Sequence, residues 1–265
     1  MKQLKTSLTV LALAAMSSFQ AIAGTSPKAP APVEPPPETP FVTGSLSLML
    51  NTHFVSYGQD VWGAGNSFDD PLFNPSLELV FDLGGGLKGI VGTWWDVNDN
   101  AISSIGNRIQ EVDVWTGLSY GVGDFTFTLL YQAWMYAEQT EHIVDLKIAY
   151  ADGFLNPFLM LHGRVGIDIP GFDEGLVTQL GIAPSKTWGD LTLTLPFSVA
   201  ADTDGFHGGG SGFSFASGGL TLSYAISKHV SFSIGATAYY TNDSVIPTNP
   251  DDFFVTGSTG FTVAF

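Results

Sequence analysis

From Phe41 to Phe265 apolar and polar side chains alternate in short runs, and no stretch has the spacing of an amphipathic helix. Alternation at period two predicts strands whose two faces meet different surroundings. Twelve such runs can be marked, near residues 42–56, 76–83, 87–97, 108–120, 125–136, 142–151, 157–168, 175–185, 190–201, 213–227, 230–242 and 252–265. Their connections alternate in length. Short ones are Gly84 to Gly86, Gly121 to Asp124, Asp152 to Asn156, Lys186 to Asp190 and Ser227 to His229; longer ones lie near 57–75, 98–107, 137–141, 169–174, 202–212 and 243–251. Short turns at one end and longer loops at the other predict an all-β fold, an antiparallel transmembrane β-barrel of about twelve strands. A soluble β-sandwich also alternates, but gives no reason for that regular change in connection length.

The facing can be set from the last strand. If Phe265, Val263 and Phe261 point to lipid, so do Val255 and Phe253, while Ala264, Thr262, Gly260 and Ser258 point inward. The same phasing turns Leu46/Leu48/Leu50, Leu77/Leu79/Phe81/Leu83, Phe125/Phe127/Leu129/Tyr131 and Val230/Phe232/Ile234 outward. In the tenth strand the phase is expected to change between Phe215 and Leu220, at a bulge over Gly218 and Gly219. Tyr57, Trp95, Tyr120, Tyr150, Trp188 and Tyr224 fall near strand ends, as interfacial aromatics do.

Charge then tests a phase chosen from apolar residues alone. Glu78, Asp82, Lys88, Asp96, Glu111, Asp113, Asp145, Lys147, Arg164 and Asp168 all fall on the inward face. A Lys or Arg facing lipid at mid-bilayer would cost roughly 2–4 kcal/mol.

The first residues carry Lys2 and Lys5, an apolar core from Leu8 to Ala15 and an Ala21-Ile22-Ala23 site, the layout of a signal peptide over residues 1–23. Residues 24–40 are proline-rich and expected to form an extended periplasmic linker, so the folded barrel is expected over 41–265. Removing residues 1–23 takes away two lysines and no acid, leaving 7 basic against 25 acidic side chains and a net charge of −18. That balance excludes nucleic acid as a partner, which needs clustered Lys and Arg. The chain contains no cysteine, so neither disulfides nor thiolate metal sites arise.

Three blocks carry a family resemblance: VTGSLSLMLNTHFVSYGQ (Val42 to Gln59), LELVFDLGGGLKGIVGTWWDV (Leu77 to Val97) and EVDVWTGLSYGVGDFTFTLLY (Glu111 to Tyr131). They resemble the small porins of the TorF-like family of Gram-negative bacteria, with Gly89 to Trp94 and Glu111 to Gly117 matching that family's third- and fourth-strand motifs. Trp115 stands where the family pattern expects Tyr, and THFVSYG stands where it tends to carry an Arg. The resemblance covers about residues 42–150. It implies an outer-membrane barrel with a pore role and supplies no catalytic residues.

The inward set bears on function. Strands eight to twelve present mostly Ser, Thr, Gly and Ala, such as Thr192, Thr194, Ser231, Ser233 and Thr237. In the earlier strands Asp82 should face Lys88 and Asp145 should lie near Arg164. Asp96, Glu111 and Asp113 then remain together toward the outer mouth, either as solvated lumen carboxylates or as a filter favouring cations. Trp94, Trp115 and Trp134 could cluster beside Glu111, filling the lumen or offering a surface for a carbohydrate or an organic cation. With His162 and Lys147 these residues complete the candidate pore lining, and Phe261, Val263 and Phe265 are the candidate signal for barrel assembly.

A channel for passive diffusion of small solutes, possible cation bias included, is the expected function. The alternative is an anchoring barrel with a blocked lumen. Catalysis is weakly supported. His142 sits at an outward rim in HIVDLKI with no Ser two residues on, His207 with Asp202 or Asp204 lies in the glycine-rich GFHGGGSG, and His53 and His162 face inward singly. No cofactor or metal is implied, since no spacing matches a calcium loop. The expected partners are outer-membrane lipid and lipopolysaccharide, the barrel-assembly machinery, and small solutes or ions.

Overall fold

Two solvents explain the architecture: lipid outside requires every backbone group to be paired within the wall, which strands can do only by closing into a barrel. The structure, a computed structural model, describes residues 40–265 apart from 64–66, 104, 137 and 168. The expected signal peptide, all of the linker except Pro40, and Asp168 therefore lie outside the described residues.

The wall has twelve strands: β1 (Val42–Asn51), β2 (Leu72–Gly84), β3 (Leu87–Val97), β4 (Ile109–Val122), β5 (Phe125–Met135), β6 (Thr140–Tyr150), β7 (Phe158–Gly166), β8 (Gly175–Ile182, resumed at Ser185–Trp188), β9 (Leu191–Thr194, resumed at Phe197–Asp202), β10 (Gly212–Ala225), β11 (Val230–Thr241) and β12 (Phe253–Ala264). Each pairs antiparallel with the next, and β1 closes on β12 with Ser45 opposite Ala264 and Asn51 opposite Ser258. The seam ends on reciprocal hydrogen bonds, from Gly44 N–H to the Phe265 carbonyl at 2.8 Å and from Phe265 N–H to the Gly44 carbonyl at 3.0 Å. No helix forms among the described residues.

The outer face keeps its large apolar groups uncovered, among them Leu129, Val255, Phe261 and Phe265, each about half exposed. A water-soluble chain rarely leaves so continuous an apolar surface open. Trp95, Tyr120, Tyr150, Trp188 and Tyr224 also face outward near strand ends.

Four expectations from the sequence are corrected. The first strand stops at Asn51, because the chain after it turns into the lumen, where Val55–Ser56 and Gln59–Asp60 form a two-stranded hairpin. Tyr57 therefore sits inside and not in an interfacial girdle. The second strand starts four residues early, at Leu72, and runs through Pro75. Proline cannot donate to a ladder; here Asn74 Nδ2 donates to the Trp95 carbonyl at 3.3 Å instead. Finally, the tenth strand's irregularity lies at Ser214, which is skipped where Ala200 faces Phe215 and Ala201 faces Phe213. The bulge turns Phe215 inward, and Gly218 and Gly219 continue the regular pairing.

Pro184 and Pro196 interrupt β8 and β9 side by side, with the Leu195 N–H donating to the Pro184 carbonyl at 2.9 Å. Beyond the break Ser185–Trp188 pairs only with Leu191–Thr194, so its other edge has no strand beside it.

Candidate functional site

The lumen divides into two halves. Toward the short turns its lining is small and polar: Ser47 meets Thr262 at 3.1 Å, Ser198 meets Ser217 at 2.8 Å, and Thr187 meets Thr192 at 2.9 Å. Toward the long loops it is crowded with aromatic and charged side chains.

The first loop causes much of the crowding. Its hairpin turns over two residues with positive φ, Tyr57 at 46° and Gly58 at 91°, the conformation that right-twisted hairpins favour. A Cβ on Gly58 would stand 2.5 Å from Phe215 on β10. Tyr57 stacks on His162 of β7 with centroids 3.7 Å apart, and Trp134 stacks on the same imidazole at 5.2 Å. The hairpin, leaving β1, thus reaches the opposite wall. The loop between β11 and β12 locks it: Asn249 Oδ1 accepts from Asp60 N–H at 2.8 Å, and Asn249 Nδ2 donates to the Gly58 carbonyl at 2.9 Å. The loop after β9 adds Phe206, buried against Val177, Ala200 and Phe215.

The interior charges are mostly engaged. His162 Nδ1 lies 2.6 Å from Asp145, whose other oxygen takes the Gln132 amide. Arg164 pairs with Glu141 and not with Asp145 as the sequence suggested; its Nη1 also donates to the Phe206 carbonyl, and its guanidinium sits 4.0 Å over the Phe206 ring. The reason is register. Arg164 stands opposite Ile143, diagonal to both acids, and Asp145 is already taken by the histidine directly across from it.

Asp96 accepts from Trp62, Asn74 and Asn98 at 2.8–2.9 Å. Trp115 Nε1 donates to Glu78 at 3.1 Å. Lys147 lies over the Phe158 ring at 4.9 Å, and Lys88 faces Asp82 across the first turn. Asp82 is exposed at that turn, where it caps the Gly84 N–H at 2.9 Å.

Asp96, Glu111 and Asp113 do come together: Asp96 faces Glu111 across β3 and β4, and the Glu111 and Asp113 carboxyls meet each other. The three tryptophans do not. Trp94 lies 4.8 Å from Phe54, Trp134 belongs to the His162 stack, and Trp115 is tied to Glu78. Between the hairpin and the wall a cavity of about 580 Å³ is lined by Glu111, Asp113, Trp94, Trp134, Tyr57 and Tyr239 with smaller polar groups.

The remaining histidines are held locally. His142 faces outward and meets Tyr131 Oη at 2.8 Å, His53 meets Thr52 Oγ1 at 2.8 Å and lies 3.8 Å from Asp60, and His207 meets Asp202 at 2.6 Å. His207 is buried beside Phe206, so the pair fastens its loop to β9.

Sequence reasoning passed over Phe54, Phe206, Tyr239 and Asn249, and placed Tyr57 in the interfacial girdle. One signal was present: Val55 to Asp60 reads VSYGQD, a two-residue turn ending in Gly between short alternating arms.

No family model and no curated protein matches the chain. Solved structures do. The chain is similar to the KdgM porin at 10% identity and TM-score 0.50 over 83% of this chain and 99% of that one. It is similar to the NanC porin at 9% identity and TM-score 0.50, covering 82% and 98% of the two chains. It also matches outer membrane phospholipase A from Escherichia coli at 13% identity and TM-score 0.47, over 88% and 94%. At these identities the likeness is one of fold, the outer-membrane β-barrel.

Proposed function

We propose that this chain is an outer-membrane channel for passive diffusion of small solutes, biased toward cations. The observation that carries the proposal is the imbalance of interior charge. Arg164 is held by Glu141, Lys147 lies against Phe158, and Glu111 and Asp113 face the cavity without a basic partner. A low-dielectric wall focuses the field of such carboxylates into the water-filled space, raising the local concentration of cations and lowering that of anions. Export by residues 1–23, a periplasmic linker over residues 24–40, insertion by the barrel-assembly machinery and contact with lipopolysaccharide belong to the same proposal.

A second reading is favoured by one feature: the first-loop hairpin touches the far wall through Tyr57 and His162 and is fastened from the β11–β12 loop by Asn249. If it stays in place, the barrel is an anchor with a blocked lumen. Refolded protein in a planar bilayer under a tenfold KCl gradient separates the two. The channel reading expects discrete steps and a reversal potential on the cation side. Anion selectivity would refute the bias, and absence of steps would favour the blocked barrel.

A further inference from the structure

The acids inside the barrel are held in two ways. Asp96, Asp145, Glu141, Asp202 and Glu78 each have at least one donor on the carboxylate: Trp62 with two asparagines, His162 with Gln132, Arg164 with Tyr136, His207, and Trp115. Glu111 and Asp113 differ. They are 2% and 9% exposed, and Glu111 Oε1 and Asp113 Oδ1 accept nothing from the described residues. Both carboxyls line the cavity, where they meet each other, and no Lys or Arg is among the lining residues. Two adjacent buried carboxyls, each with one oxygen that accepts nothing from the described residues, are unfavourable unless something supplies charge and hydrogen bonds.

The rings around the two carboxyls say what kind of group that is. Trp94 and Trp134 flank Asp113 directly across its two ladders; Trp94 with Phe54, and Trp134 with Tyr57, present aromatic surface, and Tyr239 also lines the cavity. Aromatic faces attract cations and bury apolar bodies. A volume of about 580 Å³ falls in the range of small-molecule sites. A bare metal ion fits poorly, because the described residues bring no three ligating side chains to one point. A neutral sugar could stack on the rings, but its hydroxyls would leave the paired negative charge uncompensated.

We propose that the cavity binds a small organic cation, a molecule with a protonated primary or secondary amine. The ammonium N–H groups donate to Glu111 Oε1 and Asp113 Oδ1, and the apolar body lies against the Trp94 and Trp134 rings that flank them. The inference rests on the cation-biased reading, since the same two carboxylates carry both, and it names the solute class. The cavity also borders Ser217, Thr237 and Ser258 of the polar lumen half, so a molecule crossing the barrel past the hairpin would meet the site as a binding step.

The test uses the mature chain refolded in uncharged detergent micelles and titrated with phenethylammonium, followed by tryptophan fluorescence and calorimetry. The comparison ligand is 2-phenylethanol, which has the same ring and no charge. The expected result is saturable one-to-one binding of phenethylammonium at least tenfold tighter than that of the alcohol. The Glu111→Gln/Asp113→Asn double variant, checked for heat-modifiable migration, should weaken the ammonium at least tenfold and the alcohol less than twofold. Equal affinity for the two ligands, no saturable ammonium binding, tighter binding of maltose than of the ammonium, or unchanged affinity in the folded variant would each overturn the proposal. The binding assay needs no open pore. Saturation without conductance steps removes the channel and keeps the site; steps without saturation remove the site and keep the channel.

Discussion

If the first-loop hairpin is the constriction, then Gly58→Ala should loosen it, and the size of the effect can be worked from two separate contributions. Gly58 has φ +91°, a left-handed conformation that costs an L-residue about 1–2 kcal/mol. The new methyl would also stand 2.5, 2.8 and 3.0 Å from three atoms of Phe215, where carbon atoms prefer about 3.5–4 Å. Phe215 is 2% exposed and packed against Val177, Ala200 and Phe206, so the ring cannot swing away freely, and overpacking of this kind costs about 1–3 kcal/mol. Together the two contributions favour the displaced hairpin by about 2–5 kcal/mol, which at about 1.4 kcal/mol per factor of ten is a shift from roughly 30-fold to a few thousandfold.

Gly63 supplies a control within the same loop. Its φ is +70° and a Cβ there meets nothing within 4 Å, so Gly63→Ala carries the backbone cost alone. Single-channel recording is the assay, with amide hydrogen exchange at Ser56 and Gln59 as a second readout. Gly58→Ala should give a larger conductance level, or one occupied more of the time, and faster exchange; Gly63→Ala should fall between it and the parent chain. Identical conductance and exchange in Gly58→Ala and parent would refute the placement of the constriction. An equal effect from Gly63→Ala would remove Phe215 from the reasoning.

Other predictions concern stability and assembly. Glu141→Gln leaves the buried Arg164 guanidinium without its counter-charge and should destabilise the barrel by about 3–5 kcal/mol, seen as a lower temperature for the shift from the folded to the unfolded gel band. The double variant Glu141→Gln/Arg164→Met should recover most of that loss, and failure to recover would show that the charge was not the cause. Deleting Phe265 removes two seam hydrogen bonds with Gly44 and should reduce the heat-modifiable fraction in membranes; an unchanged fraction would count against Phe265 as an assembly signal. At the turn after β6, the backbone N–H groups of Asn156 and Phe154 donate to Asp152 and hold its carboxyl below its ordinary value of 3.8. Because the folded value is the lower one, the turn gains from this carboxylate above pH 3.8 and loses the gain as pH falls through the folded value. The amide shifts of Phe154 and Asn156 should therefore titrate with a midpoint below 3.8, and a midpoint at or above 3.8 would refute the capping role.

Much of the wall was legible because a strand between lipid and lumen must alternate, and a one-residue slip would put Lys147 or Asp145 into lipid. That penalty is local, so it is written into each strand. Pro75 hid the first turn of β2, since the rule that proline ends strands did not anticipate Asn74 replacing its missing donor. Side-chain partners inside the lumen were less legible. Arg164 is diagonal to both Glu141 and Asp145, and the choice depends on His162 standing directly opposite Asp145, with the ladder shifted between His142 and Ile143. The inward fold of the first loop was hardest to foresee. Its contacts, Gly58 with Phe215 and Asp60 with Asn249, join residues more than 150 positions apart in the chain.

The side-by-side breaks at Pro184 and Pro196 give the barrel a depth mark. Below them, Ser185–Trp188 has a ladder edge with no neighbouring strand, and unpaired backbone groups cannot be left in hydrocarbon. The acyl chains must therefore end at or above the two prolines on this side. The four residues beyond, at about 3.3 Å each, carry Trp188 and Lys186 into the headgroup layer and the water under it. The wall thus has unequal height around its rim, and its shortest stretch, between β7 and β8, sets how far down the acyl chains can reach on that side.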